Sequence, residues 1–169
     1  STDDSDPLYT LDLTGALEAN SKYILVAEGI VSDIGYSPGL ETAPFQLRVI
    51  ENAREGALVA GNTDVLVLHS STDAPPVTIN ELTVPVDGLV ENISYGETEG
   101  YIELATENYG LQVINENDGS EIGNYSAALE EAGLQNSAVS ILASGFVSPF
   151  DNQDGAGFGL WAALPTGGN

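Results

Sequence analysis

Apolar and polar positions along this chain alternate at period two, in short runs, and almost never recur at the spacing of a helix face. Residues 8–13 alternate in this way near their end. Residues 22–31 (KYILVAEGIV) form a longer apolar run, and residues 44–50 (PFQLRVI) form another. Residues 64–69, 77–80, 100–104, 109–115, 121–125, 137–147 and 157–164 are further predicted strands. Turn formers stand between them: Ser37-Pro38-Gly39, Asp87-Gly88, Asn117-Asp118-Gly119-Ser120 and Asp154-Gly155. The clearest local prediction is a hairpin joining residues 109–115 to 121–125, because Asp118-Gly119 supplies the positive φ angles of a tight connection. Single helical turns are expected at residues 127–132 and 16–20. Many short strands at even spacing predict an all-β fold, an antiparallel, immunoglobulin-like β-sandwich.

The chain also repeats itself. Gly15-Ala16-Leu17-Glu18 precedes the strand 23–29 and then Gly29-Ile30-Val31-Ser32. Ala127-Ala128-Leu129-Glu130 precedes the strand 139–145 and then Gly145-Phe146-Val147-Ser148. Each copy continues through a Gly/Pro/Asp-rich loop into an apolar strand, Pro44-Phe45-Gln46-Leu47-Arg48-Val49 in the first and Gly157-Phe158-Gly159-Leu160-Trp161-Ala162 in the second. Residues 1–56 therefore read as a partial repeat, the last strands of a sandwich module, and residues 57–169 as a complete module. Half a sandwich cannot bury its inner face, and it leaves a bare sheet edge. Three things could cover them: the complete module of the same chain, another copy adding a strand, or the missing half in a longer protein.

Charge narrows the function classes. The 169 residues hold 3 Lys+Arg against 26 Asp+Glu, a formal net charge of -23. All three cations, Lys22, Arg48 and Arg54, lie in the first third. Such a chain lacks the cations that displace phosphate counterions, so nucleic acid is excluded as a partner, and an anionic membrane surface repels it. No apolar run is long enough to span a bilayer, which argues against membrane insertion. Self-repulsion of this size is tolerated best at seawater-like or higher ionic strength. With 42% hydrophobic residues a packed core is within reach, and the absence of Cys removes disulfides, thiolate metal sites and Cys nucleophiles. A chain starting at Ser1 without Met fits a processed product.

The candidate chemistry is thin. His69 is the sole histidine, with Ser70, Ser71 and Asp73 nearby, but neighbouring strand residues point to opposite faces and no nucleophile elbow surrounds them. His69, Asp73 and Pro75 read instead as a structural loop at a strand-to-loop corner, with the carboxylate accepting backbone N–H bonds. A paired-carboxylate hydrolase lacks two acids that stand apart from the rest. Calcium is the metal that acidic, Gly-bearing loops would suit. Asp151, Asn152 and Asp154 are its candidate ligands, with further acidic clusters at residues 115–121 and 1–6, none of which completes an EF-hand loop. No other cofactor is expected.

Residues 65–77, Val65-Leu66-Val67-Leu68-His69-Ser70-Ser71-Thr72-Asp73-Ala74-Pro75-Pro76-Val77, resemble the opening of a family of secreted repeats, the domain of unknown function 4397. Its members open with a strand and a His-Ala/Ser-x-x-Asp-Ala-Pro-x-Val loop. The resemblance runs on through Tyr95-Gly96, residues 101–104 and 109–113, and the strand ending at Gly145. The family has Val-Asp after Ala-Pro-x, whereas here Val77 is followed by Thr78. The resemblance implies a β-sandwich, placement on a prokaryotic cell surface or outside the cell, and no known reaction. Together these features predict a non-enzymatic, extracellular structural or adhesive module. It would associate with copies of itself or with neighbouring repeats of a surface protein, as a filament subunit joined by strand complementation. A calcium- or glycan-binding surface module is the alternative, and a hydrolase the remotest reading.

Overall fold

A computed structural model describes residues 9–32, 34–37, 43–84 and 86–165. Among these the chain is all-β. The strands are β1 (Tyr23–Glu28), β2 (Gln46–Glu51), β3 (Asn62–His69), β4 (Val77–Glu81), β5 (Val86–Ile93), β6 (Thr98–Ala105), β7 (Asn108–Asn115), β8 (Glu121–Ala128), β9 (Ala138–Ser144) and β10 (Gly159–Ala163). One 3₁₀ turn, Pro149–Asp151, precedes β10.

Strands β3 to β10 make two four-stranded sheets, in the orders β10-β9-β3-β6 and β5-β4-β7-β8. Their facing sides share one core of Val65, Val67, Val77, Ile79, Val90, Ile93, Val113, Leu129 and Val139. The ladders are antiparallel except for one. β3 and β9 run parallel, from Asp64 opposite Ala138 to His69 opposite Ala143. A parallel neighbour needs a long crossover, and here the whole second sheet lies between the two strands in chain order.

β3 explains how the rest is arranged. Its apolar run is buried on both faces, the pattern of a central covered strand. Val65 and Val67 point into the sandwich core, while Leu66 and Leu68 point out of it. What covers that outer side is the N-terminal hairpin. β1 and β2 pair only with each other among the described residues. Alternation sends Ile24, Val26 and Glu28 of β1 to one face, and Ile24, Val26 and Ile50 pack with Leu66, Leu68, Tyr101 and Leu142. The described residues thus form three layers. The hairpin lies on the back of the β10-β9-β3-β6 sheet.

The β7–β8 hairpin forms around Asp118-Gly119 as expected, with Gly119 at φ 72°. The Oδ1 of Asp118 accepts the Ser120 hydroxyl at 2.6 Å and its N–H at 2.9 Å. These bonds hold that carboxyl below its ordinary value, the hydroxyl first. Three local expectations differ. Asp87-Gly88 lies inside β5 rather than at a turn, with Gly88 at φ 69° and its N–H bonded to Asn80 Oδ1 at 2.8 Å. Residues 9–13 carry no strand. β8 runs on to Ala128, and the chain then makes a single turn closed by Ala132 N–H on the Ala128 carbonyl. The expected turn residues Pro38 and Gly39 lie outside the described residues.

Candidate functional site

The internal repeat is also a structural repeat. The β1–β2 ladder begins with Glu28 opposite Gln46, and the β9–β10 ladder begins with Ser144 opposite Gly159. Just beyond, Gly29 and Gly145 both take φ 87°. A Cβ on Gly29 would collide with the Pro44 carbonyl, and one on Gly145 with that of Gly157, so only glycine fits either position. The hydrogen bonds match as well. Ile30 N–H bonds Ala43 O, and Phe45 N–H bonds Ile30 O. Phe146 N–H bonds Ala156 O, and Phe158 N–H bonds Phe146 O. An edge-on tyrosine meets each phenylalanine: Tyr9 on Phe45 at 6.1 Å and Tyr125 on Phe158 at 6.3 Å.

Environment separates the two copies. Leu129 is 4% exposed in the sandwich core, whereas its counterpart Leu17 is 46% exposed. Ile141 packs against the core, and its counterpart Leu25 is 51% exposed. The face that β9–β10 turns into the core is therefore the face that β1–β2 turns to solvent, carrying Leu25 with the half-buried Leu47 and Val49. The second edge of β9 pairs with β3, while no strand among those described pairs with the second edge of β1.

The opposite face of the hairpin is clamped to the sandwich, and Arg48 and Arg54 serve there. Arg48 stands opposite Val26, on the face that carries Ile50 and Gln46. Its Nη2 lies 3.0 Å from Glu28 Oε2, whose side chain is fully buried. Gln46 Nε2 donates to Glu28 Oε1 at 3.1 Å, and Ser70 Oγ donates to Oε2 at 3.3 Å. Arg48 Nη1 reaches across to the Gly96 carbonyl and to Thr98 Oγ1. At the connection to β3, Arg54 Nη1 lies 2.7 Å from Oδ2 of the buried Asp64, and its guanidinium sits 4.5 Å from the centre of the Tyr101 ring. Lys22 meets Glu55 at 2.6 Å in the open. Removing one partner of such a pair is costly, because it leaves the buried carboxylate without its cation.

The expected loop residues are brought together, with a longer reach than adjacency implies. His69 is fully buried and its Nε2 lies 3.1 Å from the Pro75 carbonyl. Burial holds its imidazole below the ordinary value of 6.5, against opposing contributions from the Pro75 and His69 backbone and the Glu97 charge. Asp73 accepts the Ser71 hydroxyl within its own loop. Its other bonds reach a distant loop: the N–H of Val147 and of Ser148 at 2.9 Å, and Asn152 Nδ2 at 3.0 Å. The carboxylate therefore ties the loop after β3 to the loop after β9. Ser70 is bonded to Glu28, and Ser71 to Gly145 O and Asp73, so neither hydroxyl is bonded to His69.

The three calcium candidates do not converge. Asp151 and Asp154 are exposed. Asn152 is 3% exposed, its Nδ2 spent on Asp73 and the Ser148 carbonyl, its Oδ1 on Ser37 N–H. Among the described residues no group of three or more His, Cys, Asp or Glu stands ready to hold a metal. The acidic cluster at residues 1–6 lies outside the described residues.

The buried pairs of Arg48 and Arg54 went unread in the sequence, although a signal was there. In a chain with three cations, one placed at period two among apolar strand residues must find an anion when that face is covered. No family model, curated protein or solved structure matches this chain.

Proposed function

We propose that this chain is a structural, non-catalytic module of an extracellular or surface protein, which joins a neighbouring module through its N-terminal hairpin. One observation carries the reading. β1–β2 repeats the closing hairpin of the sandwich residue by residue, yet presents to solvent the face that its counterpart buries. The clamped seam supports it, because the bonds of Arg48 to Gly96 and Thr98, the bond of Ser70 to Glu28 and a shared apolar patch hold the hairpin in one orientation with its open side outward. The acidic surface fits an environment where salt screens repulsion.

Hydrogen exchange on monomeric residues 1–169 tests this. The β1 amides that do not pair with β2 should exchange rapidly while those of β9 stay protected. Equal protection of β1 and β9 in the monomer would mean that the hairpin is already covered, and the reading fails.

A further inference from the structure

We infer that Asn92 is an N-glycosylation site, whose oligosaccharide is joined to Nδ2 and rests in a polar groove of the β5-β4-β7-β8 sheet. The inference rests on the extracellular placement proposed above. Asn92-Ile93-Ser94 has the acceptor spacing, an Asn with a hydroxyl residue two places on and no Pro between them. Asn124-Tyr125-Ser126 has it too, and the fold separates the two. β5 is an edge strand of its sheet and carries a bulge. Val90 stands opposite Ile79 and Ile93 opposite Val77, so three steps along β5 match two along β4. Asn92 sits in that bulge at φ 49°, a backbone conformation that Asn tolerates better than most residues with a side chain. Its N–H donates to Thr78 Oγ1 at 3.0 Å. Its side chain is exposed, and no described residue hydrogen-bonds its amide group. The φ angle accounts for Asn at position 92 but asks nothing of position 94. Ser94 uses only its backbone, the N–H on Glu97 Oε2 at 2.8 Å and the carbonyl on Glu97 N–H at 2.9 Å. The described fold makes no use of the Ser94 hydroxyl, the group that the acceptor pattern requires.

Asn124 is placed differently. It lies within β8, opposite Gln112. Its Nδ2 donates to Glu121 Oε1 at 2.7 Å, and Gln112 Nε2 donates to the other oxygen of that carboxylate at 2.7 Å. Its amide nitrogen is already engaged on the sheet, so Asn124 is assigned no glycan. Beside Asn92, by contrast, an open groove is lined by Thr78, Asn80, Glu91, Ile114 and Glu116. Its amide and carboxylate groups can bond the hydroxyls of the first sugars. In the transfer, Asn92 Nδ2 forms a bond to the anomeric carbon of an oligosaccharide carried on a lipid phosphate. The anomeric carbon–oxygen bond breaks, the lipid phosphate leaves with the bonding pair, and Nδ2 gives up one proton. An oligosaccharide on β5 also hinders pairing along that sheet edge. The free edge of β1 carries no such group, which leaves it as the edge for joining a neighbour.

The test uses protein expressed in its source organism, recovered separately from outside the cell and from the cytosol, cut at glutamate and read by mass spectrometry. Cleavage at the glutamates between Glu97 and Glu121 puts Asn92 and Asn124 on different peptides. The expected result is extracellular protein whose Asn92 peptide carries an oligosaccharide and whose Asn124 peptide has its bare mass. Ser94→Ala should abolish the addition at Asn92, and Ser94→Thr should keep it. Neither change removes a bond that the described fold uses, so both variants should fold as the parent does. Extracellular protein that is bare at Asn92 overturns the inference and leaves the proposed function standing. A glycan on Asn124 alone overturns it as well, as does one on Asn92 that survives Ser94→Ala. Protein confined to the cytosol and bare at Asn92 overturns both the inference and the extracellular placement beneath it.

Discussion

Hairpins β1–β2 and β9–β10 share register, a glycine at φ 87° and a flanking aromatic pair, and yet they bury opposite faces. In β9–β10 the inner face carries the energy, because Val139, Ile141 and Leu160 meet the second sheet. In β1–β2 the outer face carries it, through Ile24, Val26 and Ile50 and the Glu28–Arg48 pair. A strand that is apolar on both sides specifies that it will be covered. It does not specify which side is covered first.

The contrast between the hairpins is most vulnerable at the ion pair. Arg48→Ala leaves Glu28 buried without its cation and should cost about 3–5 kcal/mol of hairpin docking. Hydrogen exchange should show β1 and β2 opening while the sandwich amides hold. An added Glu28→Gln should recover part of the loss in a double-mutant cycle. Core truncation comes next. Leu129→Ala should cost about 2–5 kcal/mol in urea unfolding, and Leu17→Ala less than about 0.5 kcal/mol. Equal costs would mean that Leu17 is covered and the two hairpins are not in different settings.

A smaller effect concerns pH. The folded state holds His69 below its ordinary value of 6.5, so the unfolded chain takes up the proton first as pH falls. Stability is therefore lost as pH drops from about 6.5 toward the lowered folded value, and the loss levels off beneath it. In melting curves across that window, His69→Gln should show a shallower fall than the parent. The smallest effect is expected at Lys22, whose pair with Glu55 is solvent-exposed. Lys22→Ala should change stability by about 0–1 kcal/mol, and added salt should erase the difference.

Much of the fold was legible in order of appearance. Short apolar or alternating runs located nine of the ten described strands, and Asp118-Gly119 marked its hairpin correctly. β5 was hidden because Asp87-Gly88 looks like a turn. In the folded chain these residues form an irregularity within the ladder, between Ile79 opposite Val90 and Glu81 opposite Val86. Residues 9–13 have the alternation of a strand but no strand beside them to complete a ladder. The corner of His69, Asp73 and Pro75 was visible in outline, whereas the bonds from Asp73 to Val147, Ser148 and Asn152 span more than seventy residues and leave no local trace.

The residue pattern was enough to dictate the all-β class, the positions of most strands and the internal repeat, because side-chain alternation and turn chemistry act over a few residues. Three-dimensional packing was needed to set the hairpin on the back of β3, to carry Arg48 across to Gly96 and Thr98, and to leave Leu25 in water while Ile141 is covered. Those outcomes depend on which surfaces meet in space. Two faces of similar apolarity present the same local pattern until a partner layer covers one of them.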